Sequence, residues 1–563
     1  MMNPLAAAVA DRAVLDPDAA ACTALSYPAG RCTAATLTYA ELHSATGDLA
    51  QALRERTAPG DRVAIFCEHG LDYVIAFLAC LYSARTAVPL FPVSARRNSE
   101  RLRAVLDDAR PRLGLVSAGA DIPDAQWLSM LDYLPVDVHG RCENVLLDRT
   151  GTAPAYLQYT SGSTTSPAGV DISHENLGAA LDQLRGALTV ATRRPMVNWL
   201  PYFHDMGLVF ALSLPLYTGV HSVTLSAAEF AKRPIRWLRA CSDYGAGITA
   251  SPNFGLTLAV SATTATERDD LDLSALEVLL NGAEPIRPAT LAAFTDAFAP
   301  HGFDHRAHTP GYGLAEATLP VTISAVDAAP VAVEFDRAAL TRGRAAVAPS
   351  PSDGSCLVDC GLPVGQAVRI VDPARDIPLE DGSVGEIWVQ GPNVAGGYSG
   401  QDERTAATFG ALLAGTPGTW LRTGDLGFVH NGGLFIAGRM HDTIIIDGRN
   451  HFPADIEATA ANSAAELRTE HIAAFGTDSG EREEVVIVAE VGSTTVDTTA
   501  VARRVRAAIA DIHGITPRVL TVSRGTIPKT SSGKVRRGEC RTHYHAGYFD
   551  PGGVGSRRGR NIG

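Results

Sequence analysis

Nowhere in this sequence are two cysteines spaced as Cys-x-x-Cys. Its nine cysteines, Cys22, Cys32, Cys67, Cys80, Cys142, Cys241, Cys356, Cys360 and Cys540, are odd in number and scattered. That argues against a disulfide framework and structural zinc, and it fits a reducing cytoplasm. Cys356 and Cys360 read as small buried apolar residues rather than a ligand or redox pair. The N-terminus lacks a basic stretch ahead of an apolar one, and Asp11 and Arg12 interrupt its apolar run, so no secretory signal is expected. The longest apolar stretch, residues 73–82, is too short to span a bilayer. There is no excess of positive charge: the net charge is −13, which argues against general nucleic-acid binding. No internal repeat occurs.

What is present is a globular composition, with 46% apolar and 19% charged residues in 563. That length predicts two or more domains and a sizeable core. Residues 35–55 read as a strand start and then a helix, with Leu42, Leu49 and Leu53 at helical spacing. Residues 62–67, 71–83 and 86–90 form a strand, helix and strand, the βαβ pattern of a parallel sheet. The alternation continues: helices at 102–109, 174–188, 230–241, 254–262 and 288–299, and strands at 113–116, 155–159, 195–200, 246–250 and 278–281.

Residues 325–355, rich in Ala, Pro, Asp and Arg, read as a partly irregular insertion. Short apolar runs between Gly and Pro over 357–437 predict a β-rich module. A smaller α+β portion follows Gly438-Arg439. The fold class is therefore α/β: an N-terminal body, 1–438, of two stacked α/β subdomains plus a β-rich module, then a small α+β domain, 439–548. A Gly/Arg-rich tail, 549–563, completes it.

The stretch that organises the chain is Tyr159-Thr160-Ser161-Gly162-Ser163-Thr164-Thr165-Ser166-Pro167-Ala168-Gly169-Val170. An apolar strand runs into a loop of hydroxyl residues and glycine. Gly162 and Gly169 permit positive φ, and the hydroxyls and backbone N–H groups can donate to phosphate oxygens. It is not a Walker loop, because no Lys-Ser/Thr pair closes it. The alternative is a polar turn between strand and helix.

Other stretches carry chemistry. In Asn198-Trp199-Leu200-Pro201-Tyr202-Phe203-His204-Asp205-Met206-Gly207-Leu208, His204 either orients a carboxylate or phosphate, or lies beside a helix cap made by Asp205. Asn281-Gly282-Ala283-Glu284-Pro285 is a small-residue loop after a strand, where nucleotides sit in open α/β sheets. Gly311-Tyr312-Gly313-Leu314-Ala315-Glu316 reads as a similar loop: Tyr312 can stack on a purine and Glu316 can hold Mg²⁺ beside a triphosphate. Asp425, in Arg422-Thr423-Gly424-Asp425, can accept both ribose hydroxyls, and Arg439 sits at an interdomain joint. Lys529 and Lys534 lie on the loop Pro528-Lys529-Thr530-Ser531-Ser532-Gly533-Lys534, and a lysine delivered there can stabilise charge developing at phosphate. His301, His305 and His308 would share a helical face, but Gly302 and Pro310 weaken that helix, and no carboxylate cluster joins them.

Taken together, and in this order from about residue 35 to 545, these motifs resemble the adenylate-forming superfamily, and within it the fatty acyl-AMP ligases. Four stretches point to that branch: 157–164 continuing to 167–170; Trp199-Leu200-Pro201 with His204–Leu208; 312–319; and Gly448-Arg449-Asn450-His451-Phe452-Pro453 with Asp455-Ile456-Glu457.

The resemblance implies two steps. A carboxylate attacks the α-phosphate of ATP to give acyl-AMP and pyrophosphate. The acyl group then passes to the phosphopantetheine thiol of an acyl carrier protein. It implies that Thr160, Ser161, Gly162, Ser163 and Thr164 hold the β- and γ-phosphates, with Thr164 and Glu316 near Mg²⁺. Gly282, Ala283, Glu284, Tyr312 and Gly313 would frame the adenine, Asp425 the ribose, and Arg439 ribose and phosphate. Trp199, His204, Asp205, Met206, Gly207, Phe254 and Gly311 would line the acyl side. Lys534 would complete the adenylation site when the small domain closes, and the domain would turn about His441 between steps.

Three positions depart from the pattern. Ala168 replaces the usual ligase lysine, as in many fatty acyl-AMP ligases. His441 stands where Asp or Lys is common, and Gly311 where Ser is expected. The 325–355 segment lies where these ligases carry an insertion that disfavours coenzyme A. The alternatives are an acyl-coenzyme A synthetase, also with bulkier acids, and a nucleotide-binding protein without catalysis. Arg536, Arg537, Arg541, Arg557, Arg558 and Arg560 make a basic area that is either a docking surface for an acidic carrier or a solvated tail.

Overall fold

In the computed structural model, two large sheets are built by the alternation of strand, loop and helix. The structure describes residues 2–93, 99–123, 128, 131–140, 142–159, 167–188, 194–446, 448–478, 483–493, 496–530 and 533–549. Among these, a six-stranded sheet runs in the order Asp132–Val136, Leu113–Ser117, Arg62–Ile65, Thr86–Pro89, Tyr156–Tyr159, Gly169–Ile172. Its neighbours are parallel except for the last pair. A nine-stranded sheet runs Leu362–Pro363, Leu319–Ile323, His308–Leu314, Val278–Asn281, Ile248–Ala250, Met196–Asn198, Ser222–Leu225, Ala20–Ser26, Thr33–Thr38. Its centre is parallel and its two ends are antiparallel.

The helix Leu71–Tyr82 joins the sheets. Every residue in it except Asp72 is buried, as a helix apolar on all sides requires. It packs on Arg62–Ile65, Thr86–Pro89 and Leu113–Ser117 of one sheet and on Ala20–Ser26 of the other. The longest apolar run is thus a core element, and each large side chain in it contributes on the order of 1.5–3 kcal/mol by burial. No described helix is long and apolar enough to cross a membrane.

The β-rich module is a third sheet: Ile377–Pro378, Ala367–Asp372, Gly385–Gln390, Thr419–His430 and Ala411–Leu412, with Gly433–Arg439 also paired to Thr419–His430. The 325–355 segment is more ordered than its composition suggests. Ala332–Asp336 pairs antiparallel with Gly354–Val358, and Asp336 caps the short helix Arg337–Thr341. Phe335 and Leu340 pack with Phe428, Phe435 and Phe452.

The smaller C-terminal part pairs Leu467–Asp478 with Glu483–Val491, and that strand with Arg518–Val522. The helices Pro453–Ser463, Thr498–His513 and Arg537–His545 accompany them. Ile444, Ile456, Ile487, Val505 and Ile509 are among a core separate from the main one.

Several expectations change. The single helix over 230–241 is two, Ala227–Lys232 and Ile235–Asp243. Pro234 supplies no N–H and pushes Arg233 out of helical geometry. Gly311, Tyr312 and Gly313 lie in the strand His308–Leu314, not in a loop, because that strand pairs with Leu319–Ile323. His301, His305 and His308 share no helix: the first two sit in separate 3₁₀ turns and His308 begins a strand. All nine cysteines are free thiols.

Candidate active site

The chemistry-bearing stretches gather at the carboxyl ends of parallel strands, the usual place for ligands in open α/β sheets. Tyr156–Tyr159 leads to the hydroxyl-glycine loop, Met196–Asn198 to Trp199 and His204, Val278–Asn281 to Gly282–Glu284, and His308–Leu314 to Glu316. Thr160, Ser161, Gly162, Ser163 and Thr164 lie outside the described residues. The flanks of their loop are firm: Gln158 Nε2 donates to the Phe203 carbonyl at 3.0 Å, and Tyr159 donates its hydroxyl to Asp108 at 2.6 Å.

After Trp199 the chain turns sharply into a wide helical segment, Met206–Ser213, with π-type bonding. Such segments are rare and concentrate at functional sites. Asp205 Oδ1 accepts the Met206 N–H at 2.7 Å, so Asp205 does cap a helix. Gly207 is required sterically, since a Cβ there would collide with the Pro201 carbonyl oxygen. Burial pushes the His204 imidazole down to about 3, and Lys534 and Arg101 add to it; the ring is neutral at pH 7. Burial also raises the Asp205 carboxyl, with Lys534 acting against it. Trp199 stacks on Phe230 at 3.8 Å and meets the edge of Phe254 at 5.8 Å.

Phe254 and Glu284 are joined. The Phe254 N–H donates to Glu284 Oε1 at 2.6 Å. Burial lifts the Glu284 carboxyl to about 7; nearby Glu470 adds to that, while the Phe254 N–H, Lys534 and Arg287 oppose it. Ala283, beside it, adopts the left-handed region at φ 71°, an uncommon position for alanine. A Cβ on Gly282 would lie 2.8 Å from the Gly311 carbonyl oxygen, so these two strand ends touch backbone to backbone. At Gly311 itself a Cβ would meet Thr322 O at 3.1 Å and Leu280 at 3.4 Å. The glycine there leaves little room for the serine of the wider pattern.

Tyr312, Asp425, Arg439 and Lys534 come together. Tyr312 donates its hydroxyl to Asp425 Oδ2 at 2.7 Å, and Arg439 Nε lies 3.3 Å from Asp425 Oδ1. Gly313 admits no side chain, because a Cβ would strike the Leu319 carbonyl oxygen. Thr530 and Lys534 hold each other: the Thr530 N–H donates to the Lys534 carbonyl at 2.8 Å, and the Lys534 N–H to Thr530 Oγ1 at 3.0 Å. Phe254 of the body lies against Gly533. Burial lowers the Lys534 ammonium below the ordinary lysine range, while Asp205, Glu284 and Asp425 oppose that shift. His441 is exposed in the 3₁₀ turn Met440–Asp442.

Other residues make contacts at the site and in the small domain that the sequence did not suggest. Tyr398 donates its hydroxyl to Glu316 Oε1 at 2.8 Å across 82 residues. Only its Gly396-Gly397 prefix hinted at a special backbone. Arg537 is committed internally rather than to a docking surface: it binds Glu457 through two bonds of 2.7 Å and reaches Asp442 at 3.3 Å. Arg536 pairs with Glu539. Arg557, Arg558 and Arg560 lie outside the described residues.

The donor set suits a hydrated divalent cation. Among the described residues no Lys, Arg or His forms an ion pair with Glu316; Arg439 acts on its charge from farther off, and the Tyr398 hydroxyl takes Oε1. Among the described residues no group of three or more His, Cys, Asp or Glu converges as a cage, and magnesium beside phosphates needs few protein ligands.

Residues 10–399 match the family model of the AMP-binding enzymes, and residues 441–550 match that of the AMP domain of Disco-interacting protein 2-like proteins. The long-chain-fatty-acid–AMP ligase FadD32 of Mycobacterium marinum is 39% identical, covering 89% of this chain and 87% of its own. A Mycobacterium tuberculosis relative that bears a fatty-acid–CoA ligase name, FadD21, is 38% identical over 96% of this chain and 97% of its own. A solved fatty acyl-adenylate ligase of Legionella pneumophila, in complex with acyl adenylate and pyrophosphate, superposes with a TM-score of 0.74 at 32% identity, covering 96% of each chain. With its strand-end motifs, its Asp425 cluster and these likenesses in agreement, the chain belongs to the AMP-binding enzymes, on their fatty acyl-AMP ligase branch.

Proposed function

We propose that this protein activates a fatty carboxylic acid with ATP and passes the acyl group to the phosphopantetheine thiol of an acyl carrier protein. In the first step a carboxylate oxygen bonds to the α-phosphorus, the bond to the bridging oxygen breaks, and pyrophosphate leaves with that electron pair. In the second the thiol, losing its proton, displaces AMP from the acyl carbon. The observation that carries the reading is the convergence of Tyr312, Asp425, Arg439 and Lys534, from distant parts of the chain, on one place at the strand ends.

Asp425 has the polarity to accept ribose hydroxyls, and Arg439 beside it the charge to meet phosphate. Lys534 is the cation available to the α-phosphate as negative charge develops there. Neutral His204 can donate or accept a hydrogen bond at the carboxylate without adding charge. Thr164 and Glu316 would hold Mg²⁺, which when bound neutralises triphosphate charge. Trp199, Phe254, Met206, Gly207 and Gly311 fit the acyl side, and Gly282, Ala283, Glu284 and Gly313 the adenine side. Residues 1–438 act as the body, 439–548 as a lid turning about His441, and 549–563 as a tail.

The name of FadD21 favours a second reading, transfer to coenzyme A. Against it stands the 325–355 segment, whose Arg337 binds Asp455 of the small domain and so ties the insertion to the part that must move. The test is a mass-spectrometric assay with ATP, Mg²⁺ and a panel of acids, split between coenzyme A and a phosphopantetheinylated carrier. Acyl-AMP that persists with coenzyme A but loads the carrier supports the first reading. Rapid acyl-coenzyme A formation supports the second.

A further inference from the structure

The short segment Asn393–Ser399 crosses between two parts of the site that the chain otherwise keeps apart. On one side it holds the Glu316 turn. Asn393 Nδ2 donates to the carbonyls of Ala317 and Pro320 at 2.7 and 2.8 Å, and Thr318 donates its hydroxyl to the Asn393 carbonyl at 2.6 Å. The Ala395 N–H donates to the Glu316 carbonyl at 2.9 Å. On the other side the segment pairs with Gly169–Ile172, the strand that closes the hydroxyl-glycine loop. The Ser399 N–H donates to the Gly169 carbonyl at 2.8 Å, and the Asp171 N–H to the Gly397 carbonyl at 2.9 Å. Asn176, near the start of the helix His174–Ala187, anchors the same segment through the carbonyls of Pro392 and Val394, both at 2.8 Å.

Tyr398 stands where these two sets of contacts meet. Its backbone bridges to Val170, and its hydroxyl reaches Glu316 Oε1. The ring is fixed independently. The Arg404 guanidinium lies over it, 4.2 Å from the centroid, and Phe409 meets it edge-on at 5.3 Å. One residue therefore sets the distance between the strand leaving the phosphate loop and the carboxylate of Glu316. A tyrosine hydroxyl on one carboxylate oxygen also fixes which oxygen remains for another ligand.

We propose that Tyr398 is a positioning residue for the divalent cation of the nucleotide. By donating to Glu316 Oε1 it orients the carboxylate and leaves the other oxygen for the cation, and through its bridge to Val170 it ties that carboxylate to the strand Gly169–Ile172. This rests on the reading of Glu316 as a cation ligand given above. Partners that orient a ligating carboxylate typically govern affinity by roughly tenfold or more.

The test uses Mn²⁺ as the probe, monitored by electron paramagnetic resonance, with the full-length protein and a non-hydrolysable α,β-methylene analogue of ATP and no acid present. Tyr398→Phe removes one oxygen and keeps the ring beneath Arg404 and against Phe409, and its melting temperature reports folding. It is expected to weaken Mn²⁺ binding in the ternary complex about tenfold, to raise KM for MgATP but not for the acid, and to leave AMP binding without metal unchanged. Glu316→Gln is run beside it. If Glu316→Gln loses Mn²⁺ affinity while Tyr398→Phe matches the wild type, the positioning role is overturned. If Glu316→Gln itself binds Mn²⁺ normally, the underlying assignment of Glu316 fails instead. If Tyr398→Phe loses AMP and Mn²⁺ affinity equally, its role is general packing and the proposal is overturned.

Discussion

The hydroxyl of Tyr312 donates to Asp425 Oδ2 at 2.7 Å, across 113 residues of sequence. The aspartate is thus held from one side by a tyrosine and from the other by Arg439 at 3.3 Å. Besides the ring proposed for the purine, Tyr312 supplies a donor that orients the carboxylate proposed for ribose. Tyr312→Phe keeps the ring and loses the donor. A hydrogen bond to a charged group is worth about 1.5–3 kcal/mol, so KM for ATP should rise about tenfold or more with the KM for acid unchanged. Pyrophosphate exchange at varied ATP measures this, and an unaltered KM would show the bond to be incidental.

Lys534 is expected to act on developing charge rather than on ground-state binding. Lys534→Ala should lower the adenylation kcat by roughly 10²–10³, the scale for losing one preorganised donor, while the KM values move little. Near-normal adenylation by the variant would remove Lys534 from the reaction. Because burial lowers its pKa, the wild-type rate should begin to fall with rising pH sooner than a free lysine would dictate.

Glu284 carries a stability signature. Its carboxyl is raised from 4.5 to about 7 in the folded protein, chiefly by burial. The folded state therefore binds this proton more tightly than the unfolded chain. The stabilisation is complete below pH 4.5 and is lost as pH rises toward about 7. Glu284→Gln keeps an acceptor for the Phe254 N–H and removes the titration. Melting curves of the ligand-free protein between pH 5 and 8 should show the wild type losing stability relative to this variant as pH rises. A constant difference across that range contradicts the shift.

Arg337 links the 325–355 segment to the small domain through Asp455, at 2.7 and 3.3 Å, and also donates to the Gly354 carbonyl. Arg337→Ala leaves the nucleotide residues untouched. It should loosen the seam, seen as faster hydrogen exchange over residues 439–455, with the adenylation rate within about twofold of the wild type. Removing one partner of a part-buried charged pair costs about 1–3 kcal/mol, enough to be visible as exchange. Unchanged exchange would mean that Phe452, packed on Phe335 and Phe428, holds the seam without it.

Much of this was legible in the chain. The βαβ pattern of residues 62–90 appears as Arg62–Ile65, Leu71–Tyr82 and Thr86–Pro89, because apolar periodicity is a local property of neighbouring residues. The motifs placed Glu284 and Glu316 in loops at strand ends, where they lie, whereas Asp425 proves to sit within the strand Thr419–His430; the β-rich module at 357–437 forms the third sheet. The break at Pro234, which the reading of one helix over 230–241 missed, follows from a residue that cannot donate a helical hydrogen bond.

Other features required the folded protein. Tyr398 has no motif of its own and meets Glu316 only because the segment that carries it is laid between Gly169–Ile172 and the Glu316 turn. Arg537 looks like surface charge until Glu457 and Asp442 are brought to it. The pKa shifts of His204, Glu284 and Lys534 come chiefly from burial, which only the folded chain supplies. By itself the sequence determined the family of chemistry, the order of the strands along the chain and the residue types at each station, since these rest on adjacent residues and their spacing. Only the tertiary structure decided which groups are partnered and which lose their water, because both depend on contacts between residues separated by tens to hundreds of positions.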